Sequence, residues 1–100
     1  RFTSENYERN LNASVSFRSL ASDMGVSTSG LAIAWLLAQD NHIVPIPGTR
    51  SVEHLNELAS GASINLSESD LQAIERALPI GWCHGDRYSN AQWKGPERYC

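Results

Sequence analysis

The sequence predicts an α/β segment made of four helices, one buried strand and an irregular C-terminal tail. Three observations lead there. Apolar residues recur at helical spacing in four stretches, most of them opened by a capping residue and closed by Gly or Pro. Between the second and third stretches lies a short apolar run, Ile43-Val44-Pro45-Ile46, cut off by Pro47-Gly48, which reads as a buried strand. A lone strand leaves its N–H and C=O groups unpaired, and burying them so is costly. Its neighbours are therefore expected to come from a missing part of the same chain or from another copy.

Taken in order, Arg1 to Asn6 is polar loop, and Asn6 caps a helix that runs to about Met24. Ala13, Phe17, Leu20, Ala21 and Met24 form its apolar stripe. Gly25 suits the left-handed position that ends such a helix. Ser27 caps the second helix, whose body, Leu31 to Ala38, is apolar nearly all round and is expected to be buried on most sides. Gln39 to His42 links it to the strand. Val52, Leu55 and Ala59 stripe a third helix ending near Gly61, and Ile64 and Leu66 sit in a connector. Ser67, with Asp70 three residues on, reads as a capping box. Leu71, Ile74 and Leu78 are the core stripe of the fourth helix, which Pro79 stops. Residues 1–79 thus hold the regular units, and 80–100 form the tail. Trp82, Tyr88, Trp93 and Tyr99 predict that this tail lies on an apolar surface.

Composition narrows the function classes. The chain has 100 residues, 41% of them hydrophobic, which is one globular domain at most. A formal net charge of -3 argues against a nucleic-acid partner. The longest apolar run, Leu31 to Ala38, is too short to cross a membrane. The first residues are too polar for a signal peptide, and a start at Arg1 rather than Met is expected to be a cut. Cys83 and Cys100 have neither disulfide-framework nor zinc spacing and are expected to be the reduced thiols of a cytoplasmic protein. No feature points to a particular oligomer.

Several chemistries find no support. His42, His54 and His84 are scattered, and no metal site is expected. No serine sits in a Gly-x-Ser-x-Gly elbow. Glu68, Asp70 and Glu75 read as a helix start and a solvated face, and Asp86-Arg87-Tyr88 as an ion pair beside an aromatic ring. Ala21, Gly25 and Leu31 fit helix-turn-helix offsets. The second helix would then offer Ile33, Trp35, Leu36 and Leu37 to a DNA groove, where polar and basic groups are needed.

The informative stretch is Gly48-Thr49-Arg50-Ser51. A strand ending in a small loop that feeds a helix N-terminus makes an anion site, because the first helical N–H groups are unpaired and the dipole favours negative charge. Gly48 lets backbone approach a ligand, Thr49 and Ser51 add hydroxyls, and Arg50 adds a planar fork suited to phosphate. A plain turn with Ser51 as N-cap explains the same residues.

The collinear order of several pieces resembles the C-terminal third of the aldo-keto reductases. These are Arg1-Phe2, Glu5-Asn6, Asn10-Leu11, Leu20-Ala21, Gly25-Val26-Ser27, Leu31 to Gln39, Ile43 to Arg50, Ser51 to Leu55 and Gly85 to Tyr88. The most specific is the Ala-Trp-Leu-Leu-Ala-Gln helix followed closely by Ile-Pro-Gly-Thr-Arg. The resemblance implies a (β/α)8 TIM barrel that binds NADP(H) and reduces small carbonyl substrates. Ile43 to Ile46 would be its eighth, parallel strand and the tail would fold over the barrel mouth. It implies cofactor contacts for Gly48, Thr49, Arg50, His54 and Glu57, with Arg50 at the adenosine 2′-phosphate. His54 stands where many members carry Arg, and Leu58 where an Asn meets the adenine. The catalytic Asp, Tyr, Lys and His of the family match nothing in this chain, so no catalytic residue is expected here. Two other readings are a barrel that senses the nucleotide with negligible turnover and a small helical interaction module.

Overall fold

The computed structural model describes residues 1–86 and 88. Five α-helices follow in order: α1 (Ser4–Ala13), α2 (Val15–Asp23), α3 (Thr28–Gln39), α4 (Val52–Ser60) and α5 (Glu68–Ala77). A 3-10 turn, Gly61–Ser63, extends α4. Helices α2 and α3 form the centre, with α5 packed on α2 and α4 with its 3-10 turn on α3. Phe17 and Ala21 of α2, Leu31 of α3 and Ile74 of α5 make the buried cluster, and Leu20, Met24, Leu66 and Leu78 close over it.

The single helix expected from Asn6 to Met24 is two helices, and its start is Thr3 rather than Asn6. Ser14 separates them. Its hydroxyl donates to the Leu11 carbonyl at 2.8 Å, and such back-bonding offers the turn an alternative to the regular ladder. The end of α2 is as expected. Gly25 adopts φ 69°, its N–H donates to Ser22 O, and Val26 N–H reaches back to Ala21 O, both at 3.0 Å. This is a Schellman cap, and it needs a residue without Cβ at that φ.

Three burial expectations are corrected. Ile43 to Ile46 is not a strand: no ladder forms among the described residues, and Val44 and Ile46 are 80% and 92% exposed. The described residues offer no second strand to pair with, so pairing cannot offset the order it would need. Helix α3 buries Gly30, Leu31 and Ala34 but leaves Trp35 and Leu37 exposed, because α2, α4 and the 3-10 turn cover only one side of it. The Val52, Leu55 and Ala59 stripe of α4 faces outward, since that helix meets α3 through its C-terminal end instead.

That meeting depends on glycine. A Cβ on Gly61 would stand 2.5 Å from the Gly30 carbonyl oxygen and 2.7 Å from the Ile33 Cβ, closer than carbon tolerates. The two backbones therefore touch there, and this contact sets where α4 lies.

Before the 43–46 segment, Asp40 accepts the His42 N–H at 2.8 Å and lies 2.7 Å from its ring Nδ1, which holds the Asp40 carboxyl below its ordinary 3.8. The capping box of α5 is present. The Ser67 hydroxyl donates to the Asp70 carboxylate at 2.6 Å and the Ser67 N–H at 2.8 Å, while the Asp70 N–H returns a bond to Ser67 Oγ. The Ser67 hydroxyl, then its N–H, holds the Asp70 carboxyl below 3.8. The depressed folded value means this contribution is full above that pH and is lost as pH falls through the folded value. Thermal midpoints measured as pH is lowered from about 5 are therefore expected to fall less in Asp70→Asn than in the wild type. Parallel slopes would rule out the linkage.

The tail expectation lies partly outside the described residues, as do Arg87, Trp93, Tyr99 and Cys100. Its described beginning touches α1 through polar contacts. No single helix among the described residues is long and apolar enough to cross a membrane, and no group of three potential metal ligands occurs among them.

Candidate functional site

Helix α4 starts where the 43–47 segment ends, and its first turn makes the site. Ser51 is the N-cap. Its hydroxyl accepts the His54 N–H at 3.4 Å, and its carbonyl accepts the Leu55 N–H at 2.9 Å. Thr49 Oγ1 accepts the Ser51 N–H and lies within donating distance of the Ser51 carbonyl, both at 3.3 Å, which folds residues 49–51 into a tight turn. The N–H groups of Val52 and Glu53 have no partner among the described residues. They are the orphan donors of the helix start, and they lie at the positive end of its dipole.

Gly48, Thr49, Arg50, Ser51 and His54 line one open hollow of about 640 Å³. Arg50 is the one permanently charged cation among the described residues lining it. Its guanidinium makes no ion pair or hydrogen bond with the described residues. Gly48 is open to solvent, with nothing within 4 Å of the place a Cβ would take. An unpaired fork beside two free amides at a helix start can donate to an anion.

Glu57 is not part of that hollow. It is half-buried, and its carboxylate accepts the Ser29 hydroxyl at 3.1 Å. It lines a second hollow with Phe17, Arg18, Ser22 and Ser27, between α2 and the start of α3. The structure thus joins Gly48, Thr49, Arg50 and His54, and places Glu57 on the neighbouring face of α4. The Ser29–Glu57 pair is missed by sequence reading, because 28 positions separate its members and no periodic pattern marks either one.

A model described as the aldo/keto reductase family matches residues 1–79, which include every residue of both hollows. The chain belongs to the aldo/keto reductase family. Curated relatives agree. A probable aldo-keto reductase 1 of Glycine max is 38% identical over 98 residues, covering 94% of this chain and 28% of the relative. An aldo-keto reductase of Schizosaccharomyces pombe, yakc, whose name carries NADP(+), is 33% identical and covers 88% of this chain and 26% of its own length. Strobilurus tenacellus aldo-keto reductase str7 is 26% identical over 87% of this chain and 26% of its own length. The chain spans about a quarter of the length of these relatives. No solved structure matches it. In this aldo/keto reductase chain the family match runs through the helices and the 43–50 segment alike, and it stops where α5 gives way to the tail.

Proposed function

We propose that this chain supplies the nucleotide-gripping end of an NADP(H)-dependent aldo/keto reductase acting on small aldehydes and ketones. One observation carries the reading: Arg50 stands unpaired at the start of α4, beside the free Val52 and Glu53 amides, in a hollow open to a ligand. That donor set fits the 2′-phosphate that distinguishes NADPH from NADH. The NADP(+) in the name of the fission yeast relative supports the same choice. Gly48, Thr49 and His54 flank Arg50 and would hold the adenosine end. Glu57 would act from the second hollow.

In the complete protein the Ile43–Ile46 segment takes its place as the eighth strand of a (β/α)8 barrel. The exposure of Val44 and Ile46, side chains that water would not ordinarily meet, supports such a cover. A phosphate site at the loop after a late strand of a barrel, joined to a helix N-terminus, accords with that architecture. When bound, NADPH would supply a hydride to the carbonyl carbon. The residues assigned in this chain bind and orient, and remote binding of this kind positions the reacting end. None of them is assigned to proton transfer.

The test uses the complete protein, NADPH, NADH and a panel of simple aldehydes and ketones. Carbonyl-dependent oxidation that is faster with NADPH is expected. Tight NADPH binding without turnover would instead make the protein a nucleotide sensor, and no binding of either nucleotide would overturn the assignment.

A further inference from the structure

Helix α1 buries no side chain; Tyr7 and Leu11 stay exposed. Within this chain, apolar packing therefore does little to hold it. Polar contacts with a segment more than seventy residues away do that instead. The Asn10 side-chain amide takes both backbone groups of His84: Oδ1 accepts the His84 N–H at 2.7 Å and Nδ2 donates to the His84 carbonyl at 3.0 Å. Arg1 Nε donates to Gly85 O at 3.1 Å, while Asn10 Nδ2 also donates to Arg1 O at 3.3 Å. Gly85 sits at φ 82°, and a Cβ there would fall 2.5 Å from Asn6 Nδ2, so the segment lies directly against α1. At its other end α1 runs into α2 through Ser14, which stays right-handed, donates its N–H to Asn10 O and accepts the Arg18 N–H, both at 3.0 Å.

We propose that Asn10 is a latch: it fastens α1 to residues 84–86, so that loosening one loosens the other, while the α2–α3–α5 core stays closed. The physical basis is the contrast in what holds each part. The core rests on buried Phe17, Ala21, Leu31 and Ile74, whereas α1 and residues 84–86 rest on exposed hydrogen bonds, which are the low-stability end of a structure. The latch does not depend on nucleotide binding.

Hydrogen exchange followed by mass spectrometry on the complete protein tests it. In Asn10→Ala, peptides covering 4–13 and 84–86 are expected to exchange faster by on the order of tenfold, chiefly for the loss of the two hydrogen bonds to His84. Peptides containing Leu31 and Ile74 are expected to keep their rates. Gly85→Ala strikes the latch from the other side, without touching Asn10, and is expected to speed exchange in the same two regions. Unchanged exchange in both variants overturns the proposal. So does acceleration of one region alone, or a uniform rise through the core.

Discussion

Replacing Arg50 with alanine in the complete protein is expected to weaken NADPH binding by about 10- to 100-fold, and NADH binding by less than about threefold. Hydrogen bonds to charged partners contribute about 1.5–3 kcal/mol each, and 1.4 kcal/mol is a factor of ten. The lower half of that range is favoured here because Arg50 is exposed, so water and salt screen it. The loss is accordingly expected to shrink as ionic strength rises. Arg50→Lys keeps the charge but not the planar fork, and is expected to fall between wild type and Arg50→Ala. Fluorescence titration of both nucleotides measures this. Equal losses for NADPH and NADH would show that Arg50 does not read the 2′-phosphate.

Leu31→Ala is expected to be the most damaging change to the fold, at about 2–5 kcal/mol, from lost burial and the cavity left behind. Leu31 is fully buried in a core with few buried members, so little around it can collapse into the gap. Trp35, one turn further along α3, makes the sharper comparison. It is 37% exposed here, so within this chain alone its removal should cost much less. If a barrel covers that side of α3, Trp35→Ala in the complete protein is expected to cost about 3–5 kcal/mol. Denaturant unfolding of both variants decides between these cases. A small loss for Trp35→Ala in the complete protein would leave α3 covered on one side only, contrary to the proposed architecture.

Much of the local structure was legible in the residues. The left-handed Gly25, the Ser27, Ser51 and Ser67 caps, and the stripe containing Phe17 and Ala21 all follow from short-range rules, and all are present. The break at Ser14 was not legible. A hydroxyl bonding back to Leu11 is one of several options open to a serine in a helix, and spacing does not choose among them. The outward turn of Val52 and Leu55 was not legible either. An apolar stripe states that a helix has a face to bury, not that the chain supplies something to bury it against.

By itself, the sequence determined the caps at Ser27, Ser51 and Ser67 and the stop at Gly25, and that a glycine, two hydroxyls and an arginine meet at one helix start. These are matters of neighbours within a few residues, decided by backbone sterics and orphan N–H groups. The tertiary structure alone decided that Glu57 turns to Ser29 instead of joining Arg50, that Gly30 and Gly61 bring α4 against α3, and that Asn10 holds His84. Each joins positions 28 or more apart. Which distant groups meet depends on how whole helices pack, and no local pattern carries that information.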